Sequence, residues 1–518
     1  MTTALLSVWD KIGIVNFAKE LKLLGWGIIS SGGTAKLLKE NYLKCREVSD
    51  VTGFPEILDG RVKTLNPKIH GGILAIRNNK HHTQQLQCHD IETIDIVVVD
   101  LYPFEEIISK IPKPADKKIH YDVIENIDIG GVALLRAAAK NYKDVIVVCD
   151  INDYALVIEN LKNNSVSEEL KLGLASKAFR HTAYYDSLIS NYLTYEKFPT
   201  QTTIPLKKLS MLRYGENPHQ DAALYSSGTE QNKPVVISAK QLHGKELSYN
   251  NYLDLESAWH LVQEFNSPAC VIVKHNNPCG CAESICVKDA YLKALICDPL
   301  SAFGGIIAFN RCIEEDTATE ISKLFFECVI ATGYSQAASD VLMKKKNIRL
   351  LVQKMPYKEE KNAIEYRTLS HGMLAQSKDD QLLAKINTMT KRQPTKEESE
   401  TLDFAWKVSK YVKSNAIVLA RGKQSVGIGA GQMSRIDALK TAVEKMKKVN
   451  HGLDEKICPL VLASDAFFPF PDVVEESAKI GVTAIVQPGG SIRDIDSIKA
   501  ADAKNITMIA TGMRHFKH

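Results

Sequence analysis

Surplus charge is what this sequence most obviously lacks. Its 65 Lys and Arg stand against 61 Asp and Glu, a formal net charge of +4 over 518 residues. That balance gives no electrostatic case for nucleic acid or a membrane surface as the main partner. Long apolar runs are missing too: nothing approaches the roughly 18 consecutive apolar residues of a bilayer span. The opening residues MTTALLSVWDK carry no basic region, and Asp10 ends their apolar run too early for a secretory signal. The eleven cysteines are scattered without a disulfide framework, which fits a reducing compartment. A soluble, cytoplasmic chain is the expectation. Zinc-site spacing is absent as well. Pro278-Cys279-Gly280-Cys281 separates its cysteines by one residue, and His275 is followed by Asn276 and Asn277, so the H-x-E and P-C-x-x-C pattern of zinc deaminases fails twice. Cys286 has no second pair to join. Neither zinc nor any other metal is assigned a ligand set.

What is present is ordinary globular composition, 45% hydrophobic and 24% charged, in a chain long enough for roughly two to four domains. Up to about residue 150, short β-rich runs alternate with amphipathic helical patterns. Leu5–Val8 reads as a strand, followed by helical spacing through Ile12, Val15, Ala18, Leu21 and Leu24, with Gly25 at the C′ position. Gly27–Ser30, Asp95–Leu101 and Asp144–Cys149 read as further strands, and Gly130-Gly131 opens the helix VALLRAAAK. The alternation predicts a parallel, doubly wound α/β domain. Helical pattern runs to about Tyr195, and Phe198–Leu209 reads as a linker, so a first domain over 1–197 and a second region over 210–518 are expected.

That second region contains an internal echo. Ser267–Lys274 (SPACVIVK) resembles Ser414–Arg421 (SNAIVLAR) at an offset of 147 residues, each read as a strand followed by a Gly-containing turn and then a helix, Asp289–Leu295 or Ile436–Met446. Two related α/β subdomains follow from it, roughly 210–390 and 391–518. Thr395–Glu398 is a capping-box pattern for a helix carrying Leu402, Ala405 and Trp406. Lys344–Lys361 is charged and irregular and reads as an exposed connection.

Several clusters could carry chemistry. Ser31-Gly32-Gly33-Thr34, between a strand and a helix, presents backbone N–H groups and a positive helix end to an anion, although a tight turn that binds nothing has the same signature. Arg61-Val62-Lys63-Thr64 supplies two cations and a hydroxyl, a phosphate clamp or a solvated surface. Asp128 precedes a second glycine-opened helix that ends in Lys140, which taken alone is an exposed lysine. Tyr102 follows an apolar strand, where open α/β sheets bind ligands; a half-buried structural tyrosine is the plain alternative. Lys274-His275 puts a cation beside a base of near-neutral pKa. Adjacent residues on extended chain point opposite ways, so both can face one substrate only if the chain turns there. Gly427, Gly429 and Gly431 clear one face of a strand for a planar ligand or another backbone.

Together these segments resemble the bifunctional purine-biosynthesis family that combines phosphoribosylaminoimidazolecarboxamide (AICAR) formyltransferase with IMP cyclohydrolase. The likeness runs nearly end to end, through LLSVWDK, SSGGTAKLL, DGRVKTLNPKIHGGILA, DLYPF, IDIGGVALLRAAAKN, LRYGENPHQ, VKHNNPCG, DPLSAFGGIIAFN, SNAIVLA, GIGAGQMSR, ASDAFFPFPD, QPGGSIRD and MRHFKH. The resemblance implies a methylglyoxal-synthase-like N-terminal domain that closes the purine ring. It also implies two cytidine-deaminase-like subdomains, without metal, that transfer formyl from 10-formyltetrahydrofolate to AICAR. By the same resemblance His275 is the base, while Lys274 stabilises charge or protonates the departing folate nitrogen. Arg213, Tyr214, Gly304, Glu327, Asn415, Arg435, Phe467 and Arg514 would contact AICAR, and Asp472, Ser491 and Ile492 the folate. Lys63, Tyr102, Asp128 and Lys140 would serve cyclisation, with Lys140 the best candidate for proton transfer. Ser7, Lys11, Ser31, Gly33, Thr34, Arg61 and Thr64 would hold that nucleotide. A homodimer with formyltransferase sites shared between subunits is implied, and room is left for a monovalent cation.

Three departures from the family pattern stand out: Asp100 where Asn is common, Asn66 where His is usual, and Pro471 where Arg is usual. They predict shifted binding constants with both activities kept. The competing readings are an enzyme whose cyclohydrolase site has decayed and a non-catalytic nucleotide-binding protein. The presence of Lys63, Lys140, Lys274 and His275 disfavours the second.

Overall fold

The computed structural model describes residues 2–227, 235–354, 363–449 and 458–518. The chain divides into two compact units, one running to Lys207 and the other taking Lys208–Ser226 and the remainder to His518.

In the first unit, β1 (Thr3–Ser7), β2 (Gly27–Ser30), β3 (Arg46–Glu47), β4 (Ile96–Val99) and β5 (Ile146–Val148) form one sheet. Its order is β3-β2-β1-β4-β5 and every pairing is parallel. β4 and β5 are continuous apolar runs buried along their length, and β1 buries Ala4, Leu5 and Leu6 between Thr3 and Ser7, as a sheet covered on both faces requires. The chain leaves β1 toward β2 on one side and returns beside it as β4 on the other. The carboxyl ends of β1 and β4 therefore flank the switch point where such sheets bind ligands. Gly25, at φ 80°, closes the first helix, Ile14–Leu23, as its sequence suggested.

The second unit opens with a ribbon, β6 (Lys207–Leu212) and β7 (Ala222–Ser226), so the expected linker gives way to strand before its end. It continues with β8 (Lys240–His243), β9 (Ala269–Lys274), β10 (Asn277–Glu283), β11 (Ile306–Phe309), β12 (Cys328–Ala331) and β13 (Arg349–Val352). A second ribbon, β14 (Ile364–Leu369) with β15 (Gly372–Ser377), precedes β16 (Asn387–Thr388), β17 (Ile417–Arg421), β18 (Gln424–Gly429), β19 (Leu460–Ser464), β20 (Val482–Gln487) and β21 (Thr507–Ala510). Twelve of these strands make one sheet, β16-β21-β20-β19-β17-β18-β10-β9-β11-β12-β13-β8. Read outward from the central β10–β18 pair, both halves have the same order and the same sequence of parallel and antiparallel pairings.

The repeat extends to side chains. Ser248 and Asn251 form a capping box on the Tyr249–Val262 helix, and Thr395 and Glu398 form one on the Lys396–Ser409 helix, 147 residues later. Gly280 and Gly427 are equivalent: a Cβ on the first would lie 1.9 Å from the Ala294 carbonyl oxygen, and on the second 2.2 Å from that of Ala442. The cleared strand face thus admits a helix backbone, the second of the two occupants its sequence allowed. On one face of the sheet a single core joins both halves through Trp259, Trp406, Phe265 and Phe404. Alternate residues of the same strands point into one separate core per half on the other face.

Two expectations need correction. The stretch after Lys344 is not simply an exposed connection. Arg349–Val352 is β13, held between β12 and β8, with Leu350 and Leu351 fully buried, while 355–361 lies outside the described residues. The turn after Lys274 contains no glycine; it is His275-Asn276 itself, at φ 52° and 61°.

Candidate functional sites

At the switch point of the first unit, Ser7 ends β1 and its hydroxyl meets that of Ser31 at 3.1 Å. Thr34 Oγ1 accepts from Val8 N at 3.1 Å and donates to Val8 O at 3.0 Å, locking the loop after β1 onto the Gly32–Glu40 helix. Two ammonium groups converge on the start of that helix. Lys63 Nζ is 3.6 Å from where a Cβ on Gly32 would sit, and the end of Lys11 is 3.8 Å from the same point on Gly33. Burial, with Lys63 as a like-charged neighbour, pushes the Lys11 ammonium below its ordinary value against the pull of Asp100. Two cations beside a helix N-terminus suit an anion, and Glu56 lies 3.9 Å from the Lys63 ammonium.

Asp128 stands across this cluster. Its carboxylate accepts from Gly131 N at 2.7 Å, capping the Gly130–Lys140 helix, and its own N–H donates to Tyr185 at 2.8 Å. Burial raises the Asp128 carboxyl above the usual range, offset in part by the Gly131 amide and Lys63. Burial also raises the Tyr102 hydroxyl, with Asp128 and Glu56 adding to the effect. Trp9 packs edge-on against Tyr102 at 5.0 Å. Thr64 is buried, 2.8 Å from where a Cβ on Gly130 would be.

Two of the expected residues do not join this group within one chain. Arg61 is exposed and forks onto Glu125. Lys140 ends a helix of 11 residues, about 15 Å along its axis from Asp128. It lines a separate apolar pocket of about 560 Å³ with Leu74, Arg136, Tyr142, Leu172 and Phe179.

In the second unit, β9 turns into β10 through two left-handed residues, the tight hairpin that two φ-positive positions produce. That turn is what the Lys274-His275 pair needed. Lys274 Nζ donates to Phe303 O at 2.7 Å, whereas His275 is exposed at the tip. Asp254, on the helix below, accepts from Asn276 N at 2.6 Å and holds the turn. Burial raises the Asp254 carboxyl, the turn amides and His275 lower it, and Glu327 raises it further. Glu327 accepts from Asn251 Nδ2 at 2.7 Å, with an Arg349 nitrogen at 3.7 Å.

Strand register brings the remaining residues to this same end of the sheet. The start of β11 pairs with the end of β9 (Ile306 with Val273), and the start of β17 pairs with the ends of β18 and β19 (Ile417 with Gly429 and Ser464). Gly304, Glu327, Asn415, Phe467, Ser491 and Arg514 therefore all follow or precede strand ends on one side. Lys413 N donates to Asn277 Oδ1 at 2.9 Å, tying the two halves beside the hairpin. Arg435 begins the Arg435–Lys447 helix and reaches Asp465 at 3.3 Å; Arg514 stacks on Phe516 at 4.2 Å, and Arg435 lies 5.9 Å from the same ring. Arg493 stacks on Phe470 at 5.2 Å, joining the Ser491–Ile492 loop to the segment before Asp472. Arg213 and Tyr214 sit in the loop of the β6–β7 ribbon, which contacts the same helix start as Asn251 through a bond from Asn250 to Glu216 O at 3.2 Å.

A family model described as "AICARFT/IMPCHase bienzyme" matches residues 138–445, and one described as "MGS-like domain" matches 13–133. The chain belongs to the AICARFT/IMPCHase bienzyme family. It is similar to the bifunctional purine biosynthesis protein PurH of Persephonella marina, 52% identical over 522 residues, and to that of Bacillus subtilis (strain 168), 50% identical over 521, with 99% of each chain covered in both cases. Among solved structures it resembles one titled "Crystal structure of ForH", 34% identical, at a TM-score of 0.33 over 37% of this chain and 99% of that one.

The bienzyme's three departures each have a local place. Asp100 accepts from the backbone N–H groups of Trp9 and Asp10, the latter at 2.9 Å, so its charge is turned toward the loop. Asn66 caps the Pro67–Leu74 helix through Lys68 N at 2.9 Å. Pro471 stands at the N-cap of the Asp472–Lys479 helix, where a missing N–H costs nothing. Among the described residues no group of three or more His, Cys, Asp or Glu could hold a metal, and no helix is long and apolar enough to cross a membrane. Asp254 and Asp465 escaped the sequence reading. Neither falls in a recognisable motif, Asp254 standing two residues before Glu256 and Asp465 directly after Ser464, and only the tertiary pairing reveals their partners.

Proposed function

We propose that the two clusters are the two active sites of this bienzyme, formyl transfer at the His275 end of the twelve-stranded sheet and ring closure at the switch point of the first unit. The chain is an AICAR formyltransferase and IMP cyclohydrolase of purine biosynthesis, using a folate-dependent formyl donor. The observation that carries the site reading is the convergence of residues from both sheet halves at one end, around an exposed histidine on a turn held by half-buried Asp254.

The AICAR amine attacks the formyl carbon of 10-formyltetrahydrofolate while His275 takes its proton. The tetrahedral intermediate collapses as the folate nitrogen leaves with a proton, and Lys274 either holds the oxyanion charge or supplies that proton. Arg213, Tyr214, Gly304, Glu327, Asn415, Arg435, Phe467 and Arg514 hold AICAR; Asp472, Ser491 and Ile492 hold the folate. In the first unit Lys11, Lys63 and the Gly32 helix start bind the nucleotide phosphate, with Ser7, Ser31, Gly33, Thr34, Arg61 and Thr64 around it. The carboxamide nitrogen then attacks the formyl carbon and water is lost, a step dominated by orientation, with Asp128 and Tyr102 beside the reacting groups. Lys140 cannot reach this cluster from its own helix, so its part in proton transfer requires a second copy of the chain. A homodimer, which the shared formyltransferase sites also call for, supplies one. A monovalent cation is a further component of this reading, and the cytoplasm its location.

Incubating the purified chain with AICAR and 10-formyltetrahydrofolate, and quantifying tetrahydrofolate, formyl-AICAR and IMP together, tests both activities. Matched tetrahydrofolate and IMP are expected. His275→Ala is expected to abolish formyl transfer while sparing cyclisation of supplied formyl-AICAR; equal loss of both would contradict separate sites. Mixed Lys63→Met and Lys140→Met subunits are expected to recover cyclisation that neither variant has alone, and no recovery would remove Lys140 from the site.

A further inference from the structure

The internal duplication supplies its own control for one residue that the reaction scheme leaves unused. Asn310 and Asp465 occupy equivalent places: each follows the strand beside the repeat's first hairpin, β11 or β19. Each accepts from the backbone N–H at the start of the neighbouring strand, Ala269 N to Asn310 Oδ1 at 2.8 Å and Ala416 N to Asp465 Oδ1 at 3.2 Å. Both are essentially inaccessible to solvent. That shared bond is the structural task of the position, and an amide performs it in the first half.

The second half adds a charge to the same task. Asn310 spends its Nδ2 on Phe265 O and Ser267 O at 2.9 and 2.8 Å, which seals the loop with neutral bonds. Asp465 has no such donor. Its carboxylate instead accepts from Ser414 Oγ and from Arg435 Nη2, and its carbonyl accepts from His515 N at 3.1 Å. Arg435 donates through Nε to Ser464 Oγ at 3.3 Å, so one edge of the guanidinium is fixed and the other Nη is left for a ligand. The residue equivalent to this helix start in the first half is Val287, which carries no charge. A buried carboxylate facing a largely buried arginine is costly unless paired, and neither is required by the fold, since the first half does without both.

We infer that Asp465 is a positioning residue for the formyltransferase site: it orients Arg435 and the Ser414–Asn415 segment so that they meet the anionic nucleotide substrate. The inference rests on the reading that Arg435 and Asn415 contact AICAR. It also accounts for why one repeat binds nucleotide at this position while the other is closed.

Asp465→Asn tests it, because an amide is what Asn310 already uses. AICAR KM and calorimetric AICAR affinity are expected to weaken about 10- to 100-fold, as for a lost charge-assisted bond. Little change is expected in folate KM or in cyclisation of supplied formyl-AICAR. Unchanged AICAR affinity would overturn the inference, and so would a loss confined to apparent kcat, in step with lost folded protein and with both KM values unchanged. Arg435→Gln separates the two layers: if that variant binds AICAR normally, the assignment of Arg435 fails, whatever Asp465→Asn does. Should Asp465→Asn alone be recovered unfolded, Arg435→Met with Asp465→Asn removes the unpaired cation together with its partner. That pair is expected to fold and to bind AICAR no worse than Arg435→Met; weaker binding by the pair contradicts action through Arg435.

Discussion

Gly429→Ala offers a stringent test of how the sheet supports the formyltransferase site. Gly429 lies in β18, and a Cβ there would fall 1.9 Å from the Ala438 carbonyl oxygen and 2.7 Å from its carbon. Ordinary contact begins near 3.4 Å, so strand and helix must part by roughly 1.5 Å. No flexible side chain can absorb the change, because the obstructing atoms are backbone. Overpacking of this kind costs about 1–3 kcal/mol. Ala438 is in the first turn of the Arg435–Lys447 helix, so the displacement falls on Arg435 itself. A shift of about 1 Å in a substrate-holding group can cost roughly 100-fold in rate. Urea unfolding followed by tryptophan fluorescence reports this unit through buried Trp259 and Trp406. AICAR-dependent tetrahydrofolate release reports the site, and cyclisation of supplied formyl-AICAR serves as the internal reference. Gly173→Ala is the matched control. That glycine sits inside the Glu168–Leu193 helix with nothing near its missing Cβ, so alanine should stabilise by about 0.5–1 kcal/mol. Gly429→Ala with wild-type stability and AICAR KM would refute the claim that the glycine stripe exists for helix approach.

Two pH-linked outcomes follow from burial. The raised Asp128 carboxyl means the folded protein holds a proton there that the unfolded chain has released, so this group's contribution to stability falls as pH rises through that interval. Asp128→Asn keeps an oxygen for Gly131 N and is expected to preserve or raise neutral-pH stability while reducing cyclisation at least 100-fold; intact cyclisation would exclude Asp128 from the chemistry. Lys517 shows the opposite sign. Burial pushes its ammonium down to about 8 from 10.5, so the unfolded chain binds the extra proton between those values and stability gains with pH across that window. Lys517→Met should raise the thermal midpoint at pH 7 and flatten its dependence from pH 8 to 10; an unchanged slope would show that this lysine is solvated.

Much of the architecture was legible in one dimension because its signals are local. Apolar runs such as IVVV and ACVIVK cannot avoid burial, Thr395 and Glu398 cap a helix within four residues, and the 147-residue echo marks a duplication. The resemblance added roles to residues; His275 could be singled out because an imidazole beside a strand end is chemically conspicuous, and Lys63 because it stands with Arg61 and Thr64 after the Asp59-Gly60 turn. Other features depend on long-range register. Only the antiparallel β10–β18 junction brings the hairpin of one repeat to the same sheet end as the arginine pocket of the other. Only packing shows that the glycines of β18 face a helix backbone, that Lys140 stands apart from Asp128, and that Asp465 pairs with Arg435 where its counterpart Asn310 pairs with carbonyls. Sequence fixes what each segment must bury or cap, because those energies come from neighbours a few residues away. Which charges meet is decided by strand order and register, which no short window of sequence contains.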